Sequence, residues 1–173
     1  MGKPGLCIVV VAGILSAGFP TNRASAMSIK LAQATSIVDA ALKKARELKQ
    51  LPQTVVVLDA GGHLVAAKRE DGSGIIRFEV AVGKAYGALG MGWGSSTMME
   101  RAAQNPNFLT SIAAASGGRV VPAPGGVLIR DGDGVVIGAV GISGDAGEND
   151  EVSAVAGIEA AGLRADPGGT KKK

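Results

Sequence analysis

The sequence predicts an α+β fold in which helices cover the faces of a largely antiparallel sheet. Two valine-rich segments, residues 55–69 and 126–142, each surround a short glycine-containing turn, which is the pattern of a β-hairpin. The segments before, between and after them place apolar residues three and four positions apart, the spacing of an amphipathic helix. Because a hairpin pairs neighbouring strands in opposite directions, the sheet is expected to be antiparallel, with the helices packed on it.

The first helix and the first hairpin follow one another along the chain. Ser28 is placed to cap a helix that runs to about Lys49, and Pro52 stops it. The apolar positions on one face of this helix are Leu31, Ala34, Val38, Leu42, Ala45 and Leu48. Two strands then flank the turn Asp59–Gly62, and the chain's only histidine, His63, follows this turn directly.

A second helix and a shorter third helix are predicted after the first hairpin. The apolar positions that mark the second helix are Phe78, Ala81, Val82, Ala85 and Leu89. Glycines within it weaken it, since each costs about 1 kcal/mol relative to alanine. Thr97 and Glu100 fit a capping box that opens the third helix, and Asn105–Asn107 is expected to end it. Residues 107–125 are predicted to form a long, shaped loop.

The second hairpin and a last helix complete the predicted domain. Its strands flank the turn Asp131–Gly134. Glu148 and Asp150 then open the last helix, where negative charge suits the positive end of the helix dipole. Apolar residues at helical spacing continue to Leu163.

Length, composition and charge exclude several classes of protein. With 173 residues, 46% of them hydrophobic and 3% aromatic, the chain is long enough for one domain with an aliphatic core. Five of the 18 basic residues lie near the ends, at Lys3, Arg23 and Lys171–Lys173. The rest of the chain contains 13 basic and 15 acidic residues, so it is slightly acidic. This balance and the scarcity of aromatic residues argue against nucleic-acid binding.

The two ends of the chain differ from the domain predicted at residues 27–165. Residues 1–26 contain a lysine, a short apolar run and Ala24–Ala26, which is the pattern of a secretory signal peptide. That interpretation implies a secreted or periplasmic protein. The alternative is an N-terminal extension ahead of a natural start at Met27, which implies a cytoplasmic protein. The apolar run is too short for stable membrane insertion, and residues 166–173 are expected to form a flexible basic tail.

An ordered series of short motifs resembles the GlcG/HbpS family, whose domain is also fused to some PduO-type corrinoid adenosyltransferases. The motifs are V-V-V-L-D-A-G-G-H-L-V from Val55, K-R-E-D-G from Lys68, G-K-A from Gly83, P-G-G from Pro124, I-G-A-V-G-I-S-G from Ile137 and A-G-I from Ala156. The resemblance implies a profilin-like α-β-α sandwich with helices on both faces of the sheet. It also implies a homo-oligomer, from dimer to octamer, and a haem-related role for some members.

Haem is the leading ligand under this resemblance, and His63 is the leading candidate to bind its iron, since imidazole is a common iron ligand. The alternative is a turn histidine that faces water. A single histidine rules out a multi-histidine zinc site. Tyr86, the only tyrosine, could also approach the iron through its phenolate, or could be a core residue with its hydroxyl at the edge.

Cations and glycines supply the candidate contacts to the acidic groups of a ligand. Lys84, in the G-K-A motif, could bind a haem propionate or a small carboxylate, or could simply lay its stem on apolar surface. Arg69 could join it, or be an ordinary surface arginine. Gly125 and Gly126 could bring backbone N–H groups close to an anion, or could form a turn that leads into the next strand.

Two functions follow from these candidates. The first is an oligomeric ligand-binding protein that takes haem, or another flat or anionic ligand, near the first hairpin turn and the second helix. The second is a small enzyme acting on a hydroxy or keto acid. In the enzyme, His63 or Lys84 would be the acid-base group, and the Gly125 and Gly126 amides would hold a developing oxyanion. The residues leave open whether the protein is an enzyme.

Overall fold

The computed structural model describes residues 1–2 and 28–169. Its elements in chain order are α1 (Leu31–Glu47), β1 (Thr54–Asp59), β2 (Leu64–Arg69), α2 (Arg77–Met91), α3 (Ser95–Gln104), α4 (Pro106–Ala115), β3 (Gly126–Arg130), β4 (Val136–Ser143), α5 (Gly147–Ala160) and β5 (Arg164–Asp166). Of the signal peptide or extension predicted at residues 1–26, residues 3–26 lie outside the described residues, and so do residues 170–173 of the tail predicted at residues 166–173.

Both predicted hairpins are confirmed, and they join into one five-stranded sheet. All neighbouring strands pair antiparallel, in the order β2-β1-β4-β3-β5. The hairpins are joined through β1 and β4, whose pairing runs from Thr54 opposite Ser143 to Asp59 opposite Gly138. The turn between β1 and β2, with Asp59 before it and His63 after it, therefore projects from one end of the sheet.

Helices cover both faces of the sheet, which confirms the predicted α-β-α sandwich. On one face, the strand residues Val55 and Val57 are buried against Ile37 of α1 and Ile158 of α5. On the other face, Val56 and the neighbouring strands pack against the alanines of α2. Burying one such aliphatic side chain contributes about 1.5–3 kcal/mol to folding, so these two layers dominate the stability.

A glycine in β4 explains how α2 approaches the sheet so closely. A Cβ atom at Gly141 would collide with the backbone carbonyl of Ala81 and would contact the Ala85 side chain. The weak helix predicted from its glycines therefore forms because tertiary packing of its small-residue face outweighs its low intrinsic propensity. None of the helices in residues 28–169 is both long and apolar enough to cross a membrane.

The prediction of a loop over residues 107–125 is wrong, because residues 106–115 form the helix α4. The Asn105 side chain accepts a hydrogen bond from the Phe108 N–H at 3.2 Å, which caps the first turn. Pro106 stands at the first helical position, where its missing N–H costs nothing and its fixed φ suits the helix. The Asn-Pro pair thus starts one helix as well as ending another.

Three smaller features of the fold also differ from the sequence-based expectations. α1 begins at Leu31, after Lys30 at its cap position, instead of at Ser28. α3 begins at Ser95, and the Thr97 hydroxyl that was expected to cap it accepts the Gly169 N–H at 2.7 Å instead. The short strand β5, which was not predicted, pairs with β3. The last two differences depend on partners distant in sequence, which a local pattern does not show.

Candidate functional site

The turn between β1 and β2 is organised by the carboxylate of Asp59. Its Oδ1 accepts the backbone N–H groups of Gly61 and His63, both at 2.9 Å. The Gly62 N–H donates to the Asp59 carbonyl at 3.0 Å, and Gly62 takes the left-handed φ of 81° that favours glycine. The turn is therefore closed by hydrogen bonds that both the side chain and the backbone carbonyl of one aspartate accept.

The same carboxylate contacts the ring of His63. Nδ1 of the imidazole lies 3.2 Å from Asp59 Oδ1, and the histidine side chain is 81% exposed. A carboxylate accepts hydrogen bonds, so this contact favours the proton on Nδ1 and the lone pair on Nε2. Nε2 has no hydrogen-bond partner within residues 28–169, and it is the atom that this arrangement leaves available to a ligand.

The pKa of Asp59 is lowered from its ordinary value. Partial burial by itself would raise the pKa, but the N–H of His63, the imidazole ring and the N–H of Gly61 together outweigh it. The carboxylate is therefore ionised at neutral pH and stays a hydrogen-bond acceptor for the ring.

A shallow pocket of about 190 Å³ lies against this turn. Its lining residues are Ala60, Gly61, Gly62, Tyr86, Leu89 and Gly90. Tyr86 and Leu89 bring α2 to the pocket, and a Cβ atom at Gly62 would lie 3.5 Å from the Tyr86 ring. A Cβ at Gly61 would lie 2.9 Å from the His63 ring, so the imidazole stands at the rim of the pocket.

Arg119 adds a cation beside this pocket that the sequence analysis did not identify. Its guanidinium carbon lies 4.1 Å from the centre of the Tyr86 ring, within cation–π distance. Its Nε donates to the Ser116 carbonyl at 3.1 Å. The residue follows α4, in a stretch expected to be loop, and its contact with Tyr86 joins residues 33 positions apart. No local motif marks such a contact.

Lys84 is buried and paired inside the protein. Only 3% of the residue is exposed, and its Nζ donates to Asp150 at 2.8 Å and to the Ile142 carbonyl at 2.9 Å. Burial raises the pKa of Asp150, and the nearby Lys84 ammonium offsets only part of that effect. The ion pair joins α2 to α5, so the ammonium is already occupied by a carboxylate of this chain.

Gly125 and Gly126 lie beside this ion pair and are also buried. The Gly126 N–H donates to Ser95 Oγ at 2.7 Å, and the Gly125 carbonyl accepts the Ile142 N–H at 2.9 Å. A Cβ at Gly125 would lie 2.8 Å from the Cβ of Asp150. The two glycines therefore give room for close packing around Lys84, and the Gly126 N–H is engaged within the protein.

Of the sequence-predicted site residues, the structure brings His63 and Tyr86 together around the first turn. Arg69 lies at the other end of that hairpin, opposite Thr54, and its guanidinium donates to the Ser73 carbonyl. Lys84, Gly125 and Gly126 form the separate buried cluster described above. No group of three or more His, Cys, Asp or Glu residues suited to a metal ion occurs in the described part of the chain.

Comparison with known proteins places the chain in a family. The family model described as "Haem degrading protein HbpS-like" matches residues 29–159, which is more than half of the chain. The chain belongs to the HbpS-like family. The resemblance predicted from the sequence motifs is thereby confirmed.

Solved structures similar to this HbpS-like chain include PduOC in complex with haem, at 26% identity and a TM-score of 0.71, covering 79% of this chain and 96% of that one. Protein ORFY of Klebsiella pneumoniae has 27% identity and a TM-score of 0.69, and the match covers 78% of this chain and 90% of that protein. A double mutant of HbpS from Streptomyces reticuli, at 24% identity and a TM-score of 0.66, covers 90% and 97% and shows the fold alone. No curated protein matches this HbpS-like chain in sequence.

Proposed function

We propose that this HbpS-like protein binds haem at the turn between β1 and β2, with Nε2 of His63 as the iron ligand. The observation that carries the proposal is the hydrogen bond between His63 Nδ1 and the Asp59 carboxylate, at 3.2 Å. Histidines that bind metals commonly donate their other ring N–H to a carboxylate, which fixes the tautomer and increases the basicity of the ligating nitrogen. The haem complex of PduOC, a relative at 26% identity, supports the choice of ligand.

The residues around His63 fit a haem that binds on the surface. The imidazole is exposed, and Tyr86 and Leu89 offer ring and aliphatic surface beside it. The pocket of about 190 Å³ is smaller than the roughly 300–1,000 Å³ that encloses a drug-sized ligand. We therefore propose that most of the porphyrin lies outside the pocket, where water or a second copy of the chain covers it.

The protein's part in this function is to supply and orient a nitrogen ligand. Haem, when bound, provides an iron centre for redox chemistry or ligand exchange. Asp59 holds the proton on Nδ1, and the hydrogen-bonded turn fixes the position of the ring at the pocket rim. The Tyr86 hydroxyl is the alternative contact to the iron.

A second candidate function is a small enzyme acting on a hydroxy or keto acid. The pair of Asp59 and His63 that orients a metal ligand also orients a general base, and a small pocket suits a small substrate. In this function Nε2 of His63 would take a proton from the substrate. Gly125 and Gly126 are buried and do not line this pocket, and the Gly126 N–H already donates to Ser95, so we propose no part for their amides.

Titration of hemin into the purified protein, followed at the Soret band, tests the first proposal. We expect a saturable shift in the wild type and its loss in His63→Ala, with partial recovery when free imidazole is added. Tyr86→Phe is the matched control, because it keeps the ring and removes the phenol, and we expect it to bind like the wild type.

Other results of the titration would contradict haem binding or the assignment of His63. A wild type without a saturable shift would overturn haem binding and direct the search to small acids. Saturable binding that His63→Ala retains would overturn the assignment of His63, and its loss in Tyr86→Phe would transfer the assignment to the phenol.

A further inference from the structure

We infer that Arg119 is the cation that binds a carboxylate of the ligand at this site, a role for which Lys84 was one candidate from the sequence. The inference rests on the proposed function, because it concerns the same pocket, and it extends that function to the acidic groups of the ligand. For haem, those groups are the propionates.

Arg119 lies beside the pocket. Its guanidinium lies over the ring of Tyr86, 4.1 Å from the ring centre. Tyr86 itself lines the pocket together with Gly61 and Gly62. The charge of Arg119 is therefore separated from the pocket by a single aromatic side chain, within reach of a ligand that extends past the pocket rim.

Arg119 is also available to a ligand. The residue is exposed, and it forms no ion pair with a carboxylate in the part of the chain that the structure describes. Arg46 and Arg130, by contrast, are neutralised by Glu70 and Asp166. Arg119 uses its Nε to hold the Ser116 carbonyl, which leaves the terminal nitrogens, the paired donors that match a carboxylate.

The backbone around Arg119 is already held in place by hydrogen bonds. The Val120 N–H donates to Ser116 Oγ at 3.2 Å, and the Val121 N–H donates to the Gly83 carbonyl at 3.2 Å. These bonds tie the segment to the end of α4 and to α2. An arginine whose backbone and Nε are fixed loses less conformational freedom on binding than a free surface side chain.

Lys84 does not offer the same possibility in this structure. Its ammonium is buried and bonded to Asp150 and to the Ile142 carbonyl. Binding a ligand carboxylate there would require the ion pair to open and a carboxylate of the protein to lose its partner inside the core, which is unfavourable. The exposed guanidinium beside Tyr86 meets no such cost.

The test compares hemin with hemin dimethyl ester, whose propionates are uncharged. Both are titrated into the full chain and into Arg119→Gln, with the same small fraction of organic co-solvent. We expect Arg119→Gln to weaken hemin binding roughly tenfold or more, the usual effect of losing a hydrogen bond to a charged group. We expect the affinity for the ester and the position of the Soret band to stay unchanged, because the iron contact is intact.

Arg164→Gln is the matched control. Arg164 is also exposed and has no ion pair among residues 28–169, and its removal changes the net charge by the same amount. We expect it to bind hemin like the wild type. Far-ultraviolet circular dichroism and the melting temperature verify that both variants are folded.

The outcomes separate the inference from the proposed function. If the wild type binds neither porphyrin, the proposed function fails, and the inference fails with it. If the wild type binds hemin and Arg119→Gln binds it equally well, only the inference is overturned. An equal loss for hemin and its ester would also overturn it, since the arginine would then act through the position of Tyr86 and not through a carboxylate.

Discussion

At the scale of single residues, the carboxylates of this protein differ according to what surrounds them. Asp59 sits at an exposed turn and accepts several N–H groups, so its pKa falls below the ordinary value despite some burial. Glu151 is half buried beside α3, and burial raises its pKa even though the hydrogen bond from Ser96 and the backbone of Gly125 lower it. The first carboxylate is suited to orient an imidazole at neutral pH, and the second makes folding depend on pH.

Replacing Asp59 by asparagine tests its role as a positioning residue. The asparagine side chain would keep an oxygen acceptor for the turn N–H groups but would lose the negative charge beside the ring. We expect Asp59→Asn to weaken hemin binding about 10–100-fold, the usual effect of removing a group that orients a metal ligand. Asp133→Asn, in the turn of the second hairpin, is the control. A purely structural role would lower stability in Asp59→Asn without changing the affinity of the folded protein or the Soret spectrum of its complex.

Glu151→Gln tests the raised pKa. The pKa of Glu151 lies above its ordinary value of 4.5 in the folded protein. Stability due to this group is therefore greatest below pH 4.5 and decreases as the pH rises through the folded-state pKa. Glutamine accepts the same hydrogen bonds and does not ionise, so we expect the variant to be at least as stable as the wild type at pH 7. Urea unfolding at pH 4 and pH 7 measures this, and a less stable variant at pH 7 would contradict it.

At the scale of elements, the buried pair of Lys84 and Asp150 connects helices on opposite faces of the sheet. Lys84 extends from α2, past Gly125, to Asp150 on α5. Asp150 also accepts the N–H of Asp145 at 3.0 Å, which fixes the entry to α5. The Gly-Lys and Pro-Gly-Gly motifs are therefore in contact in the folded protein. The glycines leave the space that the buried lysine and aspartate fill.

We expect Lys84→Met to destabilise the protein by about 3–5 kcal/mol, because it leaves the Asp150 carboxylate buried without its partner. Adding Asp150→Asn should recover much of this loss, since asparagine is neutral and can still accept the Asp145 N–H. Urea unfolding measures both free energies.

Lys68→Met is the matched control, because Lys68 pairs with Asp39 and both side chains are about half exposed. We expect it to cost less than about 1 kcal/mol. Equal effects of the two lysine substitutions would show that burial does not govern the Lys84 pair.

At the scale of the whole molecule, the sheet has two edges and the surface carries exposed apolar residues. β2 and β5 are the edge strands. Ile75 and Ile76, in the segment before α2, are 95% and 64% exposed. Adjacent exposed isoleucines are unfavourable in water and are common where another surface covers them. The two isoleucines are therefore a candidate contact surface between copies of the chain. The homo-oligomer that the family resemblance implies stays a prediction.

Light scattering of the purified protein tests the assembly. We expect a mass that is a multiple of the 17.2 kDa chain. Replacing Ile75 and Ile76 together by aspartate should shift the mass towards one chain, because the buried charge would oppose association. Thr110→Asp, on the exposed side of α4, is the control for added charge. A wild-type mass of one chain would contradict the predicted homo-oligomer.

The sequence by itself determined the two hairpins, the antiparallel sheet, the α1, α2 and α5 segments and the family. It did so because valine-rich strands around glycine turns and helical periodicity are local signals, and because the ordered motifs span almost the whole domain. It also located His63 at the lip of the first turn. Its role as an iron ligand stays a proposal.

Only the tertiary structure decided what these residues contact. The helix α4, which formed where a loop was expected, is the exception, because its start at Asn105 and Pro106 is a local signal. Lys84 became half of a buried ion pair with Asp150, 66 positions away. Arg119 came to lie on Tyr86, and Asp59 to hold His63. The physical reason is that burial and the pairing of charges depend on neighbours brought together by the sheet, and these neighbours are distant along the chain.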